Sequence, residues 1–184
     1  TIPVAAEIVG ALQTIASREI DPSQPVVIAI GRIEGGYRRN VVADSAKLFG
    51  TIRCLDENVR RSIPARIERI VSGICAAHRA SHAIEFVYGY PSVQNSAPLT
   101  SAVMEIARGV PEVRSVVELD HPTMGAEDFA YFADEVPGCM IRLGCAAPDD
   151  PDPPSLHSPD FRLDESALVT GVALLRAMAF HLTR

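Results

Sequence analysis

The sequence predicts a mixed α/β fold in two parts, and three observations carry that prediction. Amphipathic helical stretches alternate with short β-branched runs along the 184 residues. The pattern of those elements changes after Tyr90-Pro91. Apolar residues make up 47% of the chain and charged ones 22%, a balance that builds a core rather than a disordered segment.

Residues 3–17 read as the first helix. Val4, Ile8, Leu12 and Ile15 recur at helical spacing, and Pro3 suits a first turn. Asp21-Pro22-Ser23-Gln24-Pro25 is a turn cluster. Val26-Val27-Ile28-Ala29-Ile30 begins a buried strand that reaches Ile33, and Gly35-Gly36 breaks it. A second strand follows over 45–55, where Leu48 and Ile52 alternate with Phe49, Thr51 and Arg53. Asp56 is placed to cap a second helix that runs to Arg79, with Val59, Ile63, Ile67, Ile70 and Ile74 as its apolar stripe. Pro64 inside that stripe predicts a kink or a later start. His82–Tyr90 reads as a third strand, with Ile84, Phe86 and Tyr88 on one face.

Helix, strand, strand, helix, strand becomes the split β-α-β ferredoxin-like unit when one strand is set in front. That strand would lie mid-sheet, and without it the neighbouring amides lose a ladder partner. The chain therefore reads as cut at its N-terminus, inside a folding unit. Its start, Thr1-Ile2-Pro3-Val4, has no signal-peptide pattern.

The second part opens with a helix from Pro98 to Gly109, with Leu99, Val103 and Ile106 on one side. Ser115–Leu119 reads as a short strand, and a loop through Thr123–Phe129 leads into a brief helix. Cys139–Leu143 reads as another buried strand, followed by a Pro- and Asp-rich loop ending at Leu156-His157-Ser158-Pro159. Asp164 is placed to cap a last helix, 165–182, whose predicted core face is Leu168, Val172, Leu175 and Ala179. Strands alternating with helices predict a partial α/β layer, in which loops after the strands carry the site. Those loops hold Glu127 and His157.

Composition excludes whole classes of function. A net charge of −6 argues against a nucleic-acid surface. No apolar run approaches the roughly 20 residues of a membrane span. Cys54, Cys75, Cys139 and Cys145 form no C-x-x-C pair, so they read as mostly buried thiols of a cytoplasmic protein rather than a zinc ribbon or redox motif.

Each candidate for chemistry has a plain structural alternative. His157 is a metal ligand or a hydrogen-bonded loop residue. Glu127 and Asp128 bind a metal, act as acid and base, or complement a helix N-terminus. His78 ends a helix where its charge is favourable, and the pair His78 and His82 is assigned no metal. Asp149, Asp150 and Asp152 are interrupted by Pro151, Pro153 and Pro154, which suits a stiff solvated loop better than a calcium loop. Gly35-Gly36-Tyr37-Arg38-Arg39-Asn40 is a polar hairpin connection or a carboxylate-binding segment.

Several stretches taken together resemble the C-terminal half of a metal-dependent amidohydrolase. The family is the aminoacylase/carboxypeptidase group that includes hippurate hydrolases and indole-acetyl-amino-acid hydrolases. The matching pieces are Ala5–Ile15, Gly35-Gly36 through Asn40–Asp44, Gly50-Thr51-Ile52-Arg53, Met124-Gly125-Ala126-Glu127-Asp128-Phe129 and Leu156-His157-Ser158-Pro159. The resemblance covers essentially the whole chain, and the last two pieces are its most specific. It implies that residues 1–90 are most of a ferredoxin-like lid that also dimerises, and that 91–184 close an α/β zinc-peptidase-like catalytic domain.

The resemblance assigns His157 to the two-metal site, with zinc, manganese or cobalt as the ions. Asn40 corresponds to a lid residue reaching the substrate, Met124, Gly125 and Glu127 to a pocket loop, and Gly144 to a glycine near the substrate carboxylate. The other metal ligands and the general base would lie before Thr1, so no catalytic residue is assigned in this chain. Tyr37-Arg38-Arg39 departs from the smaller, less charged residues usual there. The implied substrate is a small N-acyl amino acid, and the implied partner is a second copy through the lid. A different reading keeps the chain as a non-catalytic binding or dimerisation module.

Overall fold

A computed structural model describes residues 1–147 and 149–183. The chain divides into two compact units, Thr1–Ser92 with Thr123–Glu127, and Val93–Pro122 with Asp128–Arg184.

In the first unit, helix α1 (Ile2–Thr14) has Pro3 in its first turn and buries Ala5, Ile8 and Leu12 on one face. The chain then widens into a π-turn, Ile15–Glu19, before the extended Ile20. The single helix expected over 3–17 is therefore two kinds of helix. The wider turn accommodates an additional residue, and both Ile15 and Ile20 reach the core.

Strands β1 (Val26–Gly35) and β2 (Ala46–Cys54) pair antiparallel, from Val26 opposite Cys54 to Gly35 opposite Ala46. The register slips between Ile30 and Arg32, so Gly31 is a bulge. Gly50 stands opposite Ile30 beside it. A Cβ at Gly50 would lie 2.6 Å from the Ala29 carbonyl oxygen and 2.8 Å from Ile30 Cδ1, so the close approach of the strands requires glycine.

Asp56 caps helix α2 (Glu57–Ala77), its Oδ1 accepting from the Val59 N–H at 2.9 Å. The helix runs on through Pro64, which has no N–H to give the Arg60 carbonyl one turn back. Its buried line is Val59, Ile63, Ile67, Val71 and Cys75. Of the four cysteines expected to be mostly buried, only Cys75, on this line, is. The expected Ile70 and Ile74 sit half-buried at the margin instead. Steps of four residues overshoot a full turn by about 40°, so the buried line winds round the helix.

One core joins these elements: Ile8, Leu12, Ile15 and Ile20, Ile28 of the sheet, and the α2 line. At its edge Glu19 meets Arg66 at 3.0 Å and also Arg69. The hydrogen bond from Arg69, then that from Arg66, holds the Glu19 carboxyl below the usual range against the opposing effect of desolvation.

Residues 82–90 correct an expectation. Ile84 and Phe86 pack on the core two residues apart, as a strand would place them, while Tyr88 is exposed. No ladder forms there. Among the described residues β1–β2 is the one ladder, and a strand is defined by its neighbour. Side chains hold the segment. Arg60 donates to the Gly89 carbonyl at 2.8 Å and lies over the Tyr88 ring, and Ser92 donates to the Leu55 carbonyl at 2.7 Å.

The second unit contains α3 (Ala97–Arg108), α4 (Phe129–Glu135) and α5 (Ser166–Leu182). Its core is Ala107, Val110 and Leu174, with Val113, Val116, Ala177 and Met178 packed around them. The expected strands 115–119 and 139–143 form no ladder among the described residues, for the same reason as 82–90. A side chain substitutes for a strand at Met140. The Asn95 amide donates to its carbonyl and accepts from its N–H, both at 2.9 Å.

Helix α5 reverses the expected face. Val172 is 68% and Leu175 65% exposed, whereas Ala167 and Leu174 are buried. The helix has one arginine, Arg176, and no acid, so it is apolar nearly all round. Period alone then selects no face.

Candidate functional site

Asn40, Met124, Gly125 and Glu127 belong to the first unit, and Gly144 and His157 to the second. Asn40 lies exposed in the β1–β2 connection, inside a turn closed by the Val41 N–H on the Arg38 carbonyl at 3.3 Å. Met124 and Glu127 are half-buried and Gly125 is exposed. Arg53 of β2 donates from Nη1 to the Met124 carbonyl at 2.7 Å. Asp128 stands at the start of α4 without a side-chain capping bond, and its carbonyl accepts from the Tyr131 N–H at 3.0 Å.

In the second unit, exposed Gly144 precedes a braced loop. The Cys145 carbonyl accepts from the Asp164 N–H at 2.9 Å and closes the neck. Arg162 pairs with Asp150 at 3.1 Å across the loop. Asp164 also accepts from the Ser166 N–H at 2.9 Å, so one residue ties the neck to α5. That backbone bond, ahead of the Ser166 side chain, holds the Asp164 carboxyl below the usual range. Pro148 lies outside the described residues.

His157 sits exposed in this loop, within two linked turns. The Ser158 N–H bonds the Ser155 carbonyl at 3.0 Å, and the Phe161 N–H bonds the Ser158 carbonyl at 3.1 Å. Pro159 takes the first central position of the second turn, where its fixed φ fits. His157 takes the second central position of the first, with φ +69. That left-handed position is normally given to Gly or Asn, and a side chain with a Cβ costs about 1–3 kcal/mol there. The loop thus holds an imidazole in solvent on a strained, doubly braced backbone.

The other two histidines considered above meet carboxylates. His78 Nε2 lies 2.8 Å from Glu7, and His82 Nε2 lies 2.8 Å from Glu68.

A hydrolytic divalent ion needs three or more protein donors and an open position. Among the described residues no three His, Cys, Asp or Glu side chains gather to supply them. The residues present do not make a metal centre by themselves, and His157 offers a single donor.

Sequence reasoning missed Arg53 and Asn95 as organisers of the loops. Their partners lie 71 and 45 residues away, a separation that no local pattern encodes.

Known proteins carry the same arrangement of elements. The family model described as Peptidase family M20/M25/M40 matches residues 5–181. The chain is 36% identical over 178 residues to "Probable hydrolase sll0100" of Synechocystis sp., covering 97% of this chain and 45% of that protein. To the "N-acetyldiaminopimelate deacetylase" of a Geobacillus species it is 34% identical over 174 residues, covering 95% and 44%. The solved YXEP protein of Bacillus subtilis, described as a dinuclear metal binding peptidase from the M20 family, superposes with a TM-score of 0.78 at 28% identity, over 98% of this chain and 45% of its own. The chain thus spans about half the length of the relatives it matches. Since the match runs through nearly every element described above, from α1 to the end of α5, the chain belongs to the M20/M25/M40 peptidase family.

Proposed function

We propose that this chain is part of a metal-dependent amidohydrolase that cleaves the amide bond of N-acyl amino acids or related small substrates. The observation that carries the reading is His157. Its backbone is held left-handed at φ +69 in a loop closed at its neck and cross-linked by an ion pair. Strain kept at an exposed imidazole fits a residue whose place is set by chemistry rather than by packing. Family membership supports the reaction class, and the deacetylase among the relatives acts, by its name, on an N-acetylated amino acid.

In this reading residues 1–90 form the lid and dimer contact, and 91–184 close the catalytic domain. Asn40, Met124, Gly125, Glu127 and Gly144 line the substrate side, and His157 gives one donor to a divalent ion. The metal requirement rests on the family and on the relative described as dinuclear, because this chain supplies one ligand only. A cytoplasmic setting rests on the four cysteines standing as free thiols.

The test is release of free amino acid from N-acyl substrates by the enzyme carrying this chain, in zinc, manganese or cobalt, with metal content measured alongside. Hydrolysis should depend on added metal. His157→Ala should lower both metal content and rate, the rate by more than the roughly 100-fold typical of losing an outer-shell partner. Inactivity with all three ions would leave the non-catalytic module as the better reading.

A further inference from the structure

The connection between β1 and β2 carries Asn40 at its tip. The turn closed by the Val41 N–H on the Arg38 carbonyl sets Arg39 and Asn40 at its two central positions. This tip stands out in solvent, with Tyr37 77% and Val42 85% exposed. The base of the connection does not. Ala43 is buried, and Gly36 turns the chain out of β1 with φ +70.

Both ends of that base meet the start of α1. Ile2 closes on the first end: a Cβ at Gly35 would lie 3.3 Å from Ile2 Cγ1, and one at Gly36 would lie 3.4 Å from Ile2 Cδ1. Thr1 holds the second end, its hydroxyl donating to the Ala43 carbonyl. That hydroxyl is diverted from its usual place. Thr1 stands at the N-cap of α1, where a threonine oxygen normally accepts from a backbone N–H two or three residues on. Here it makes no such bond. Pro3 lacks one of the two N–H groups a cap could take. The ladder fixes the connection only at the Gly35–Ala46 pair. The contacts with Thr1 and Ile2 carry that hold outward, so that only the tip projects beyond it.

We propose that Thr1 is a positioning residue for Asn40: its hydroxyl pins the Ala43 carbonyl, Ile2 packs against Gly35 and Gly36, and together they set where the tip of the connection stands. Its effect on turnover rests on the reading that Asn40 reaches the substrate, but the anchor itself does not. Thr1 acts through the backbone and touches no reacting atom.

Two measurements test this separately. The first needs no activity. Trypsin cuts the Arg39–Asn40 bond at the tip, and the Arg79–Ala80 bond past the end of α2 is the reference in the same unit. Thr1→Asp separates anchoring from capping. An aspartate caps a helix as well as threonine does, but its carboxylate has no proton to give the Ala43 carbonyl. Thr1→Asp should speed the cut at Arg39 about fivefold, the size of one lost hydrogen bond, and leave the cut at Arg79 unchanged. Thr1→Ser, which keeps the hydroxyl, should restore the wild-type rate. Equal rates at Arg39 in wild type and Thr1→Asp overturn the proposal. So does equal acceleration of both cuts, which would make Thr1 a support of the whole unit rather than of the connection.

The second measurement uses the active enzyme and an N-acyl amino acid. Thr1→Asp should raise KM about fivefold with little change in kcat, because loosened positioning weakens binding whereas a partly unfolded sample lowers kcat alone. In an Asn40→Ala background the same exchange should change nothing further, since the residue it positions is gone. Effects of the two substitutions that multiply overturn the proposal. If wild type hydrolyses no N-acyl substrate, the amidohydrolase reading fails, while the trypsin result still decides the anchor.

Discussion

The first unit seats Ile63 of α2 at 0% exposure in the core shared with α1 and the sheet, whereas the second leaves Leu175, a side chain of the same size on its longest helix, 65% exposed. The difference lies in layers, not in hydropathy. Helix α2 has one apolar side, and that side meets the apolar partners of the core. Helix α5 is apolar on both sides and meets packed partners on one. A residue is buried only where a second layer exists to bury it. The same logic separates β1–β2, which found each other, from 82–90, 115–119 and 139–143, whose strand-like sequences lie beside no ladder among the described residues.

The sharpest way to break this comparison is a pair of truncations in the chain. Ile63→Ala should cost about 2–5 kcal/mol, as a fully buried aliphatic does. Leu175→Ala should stay within about 0.5 kcal/mol. Urea unfolding followed by circular dichroism measures both, and equal losses would show that the α5 face is covered after all.

A smaller effect of opposite sign is expected in the braced loop. His157→Gly relieves the left-handed strain and should raise stability by up to about 1 kcal/mol, partly offset by the freedom glycine gains when unfolded. The same variant should lose metal-dependent activity in the enzyme. A stabilised, inactive protein would mark His157 as held for function; a destabilised one would mean its ring serves packing.

The smallest effect is in pH. The Glu19 carboxyl titrates below its ordinary value of 4.5 because Arg69 and Arg66 bond it. A lowered value in the folded state means its contribution is whole above 4.5 and drains as pH falls toward the folded value. Acid titration of wild type should therefore show a slope in stability just below that point, and Glu19→Gln should flatten it. An unchanged slope would remove the clamp from the first unit's advantage.

Much of this was legible in the residues, and the failures share a cause. Helix ends could be read because caps and periodicity are local: Asp56 and Pro3 act within a turn of themselves. The α5 face could not, because a helix apolar all round gives no phase to read. Pairing of 82–90 could not, because alternation states a preference and the partner decides. At the site, His157 stood out through the Leu-His-Ser-Pro stretch, but its left-handed backbone carries no signal in a residue that is not glycine. Arg53 and Met124 are both visible in the sequence, and nothing local joins them.

The π-turn at Ile15–Glu19 has a consequence for how this chain tolerates change in length. Such a turn holds one residue more than the helix it interrupts, like a tuck sewn into cloth. Deleting Ala16 would let the tuck out and leave an ordinary helix, with the residues beyond it kept in phase, Glu19 still facing Arg66 and Arg69. A one-residue gap in this turn should therefore be tolerated, whereas one in the regular part of α1 would swing every later side chain by about 100°. The stretch from Ile15 to Ile20 is thus the place where the chain gives up one residue at least cost to its register.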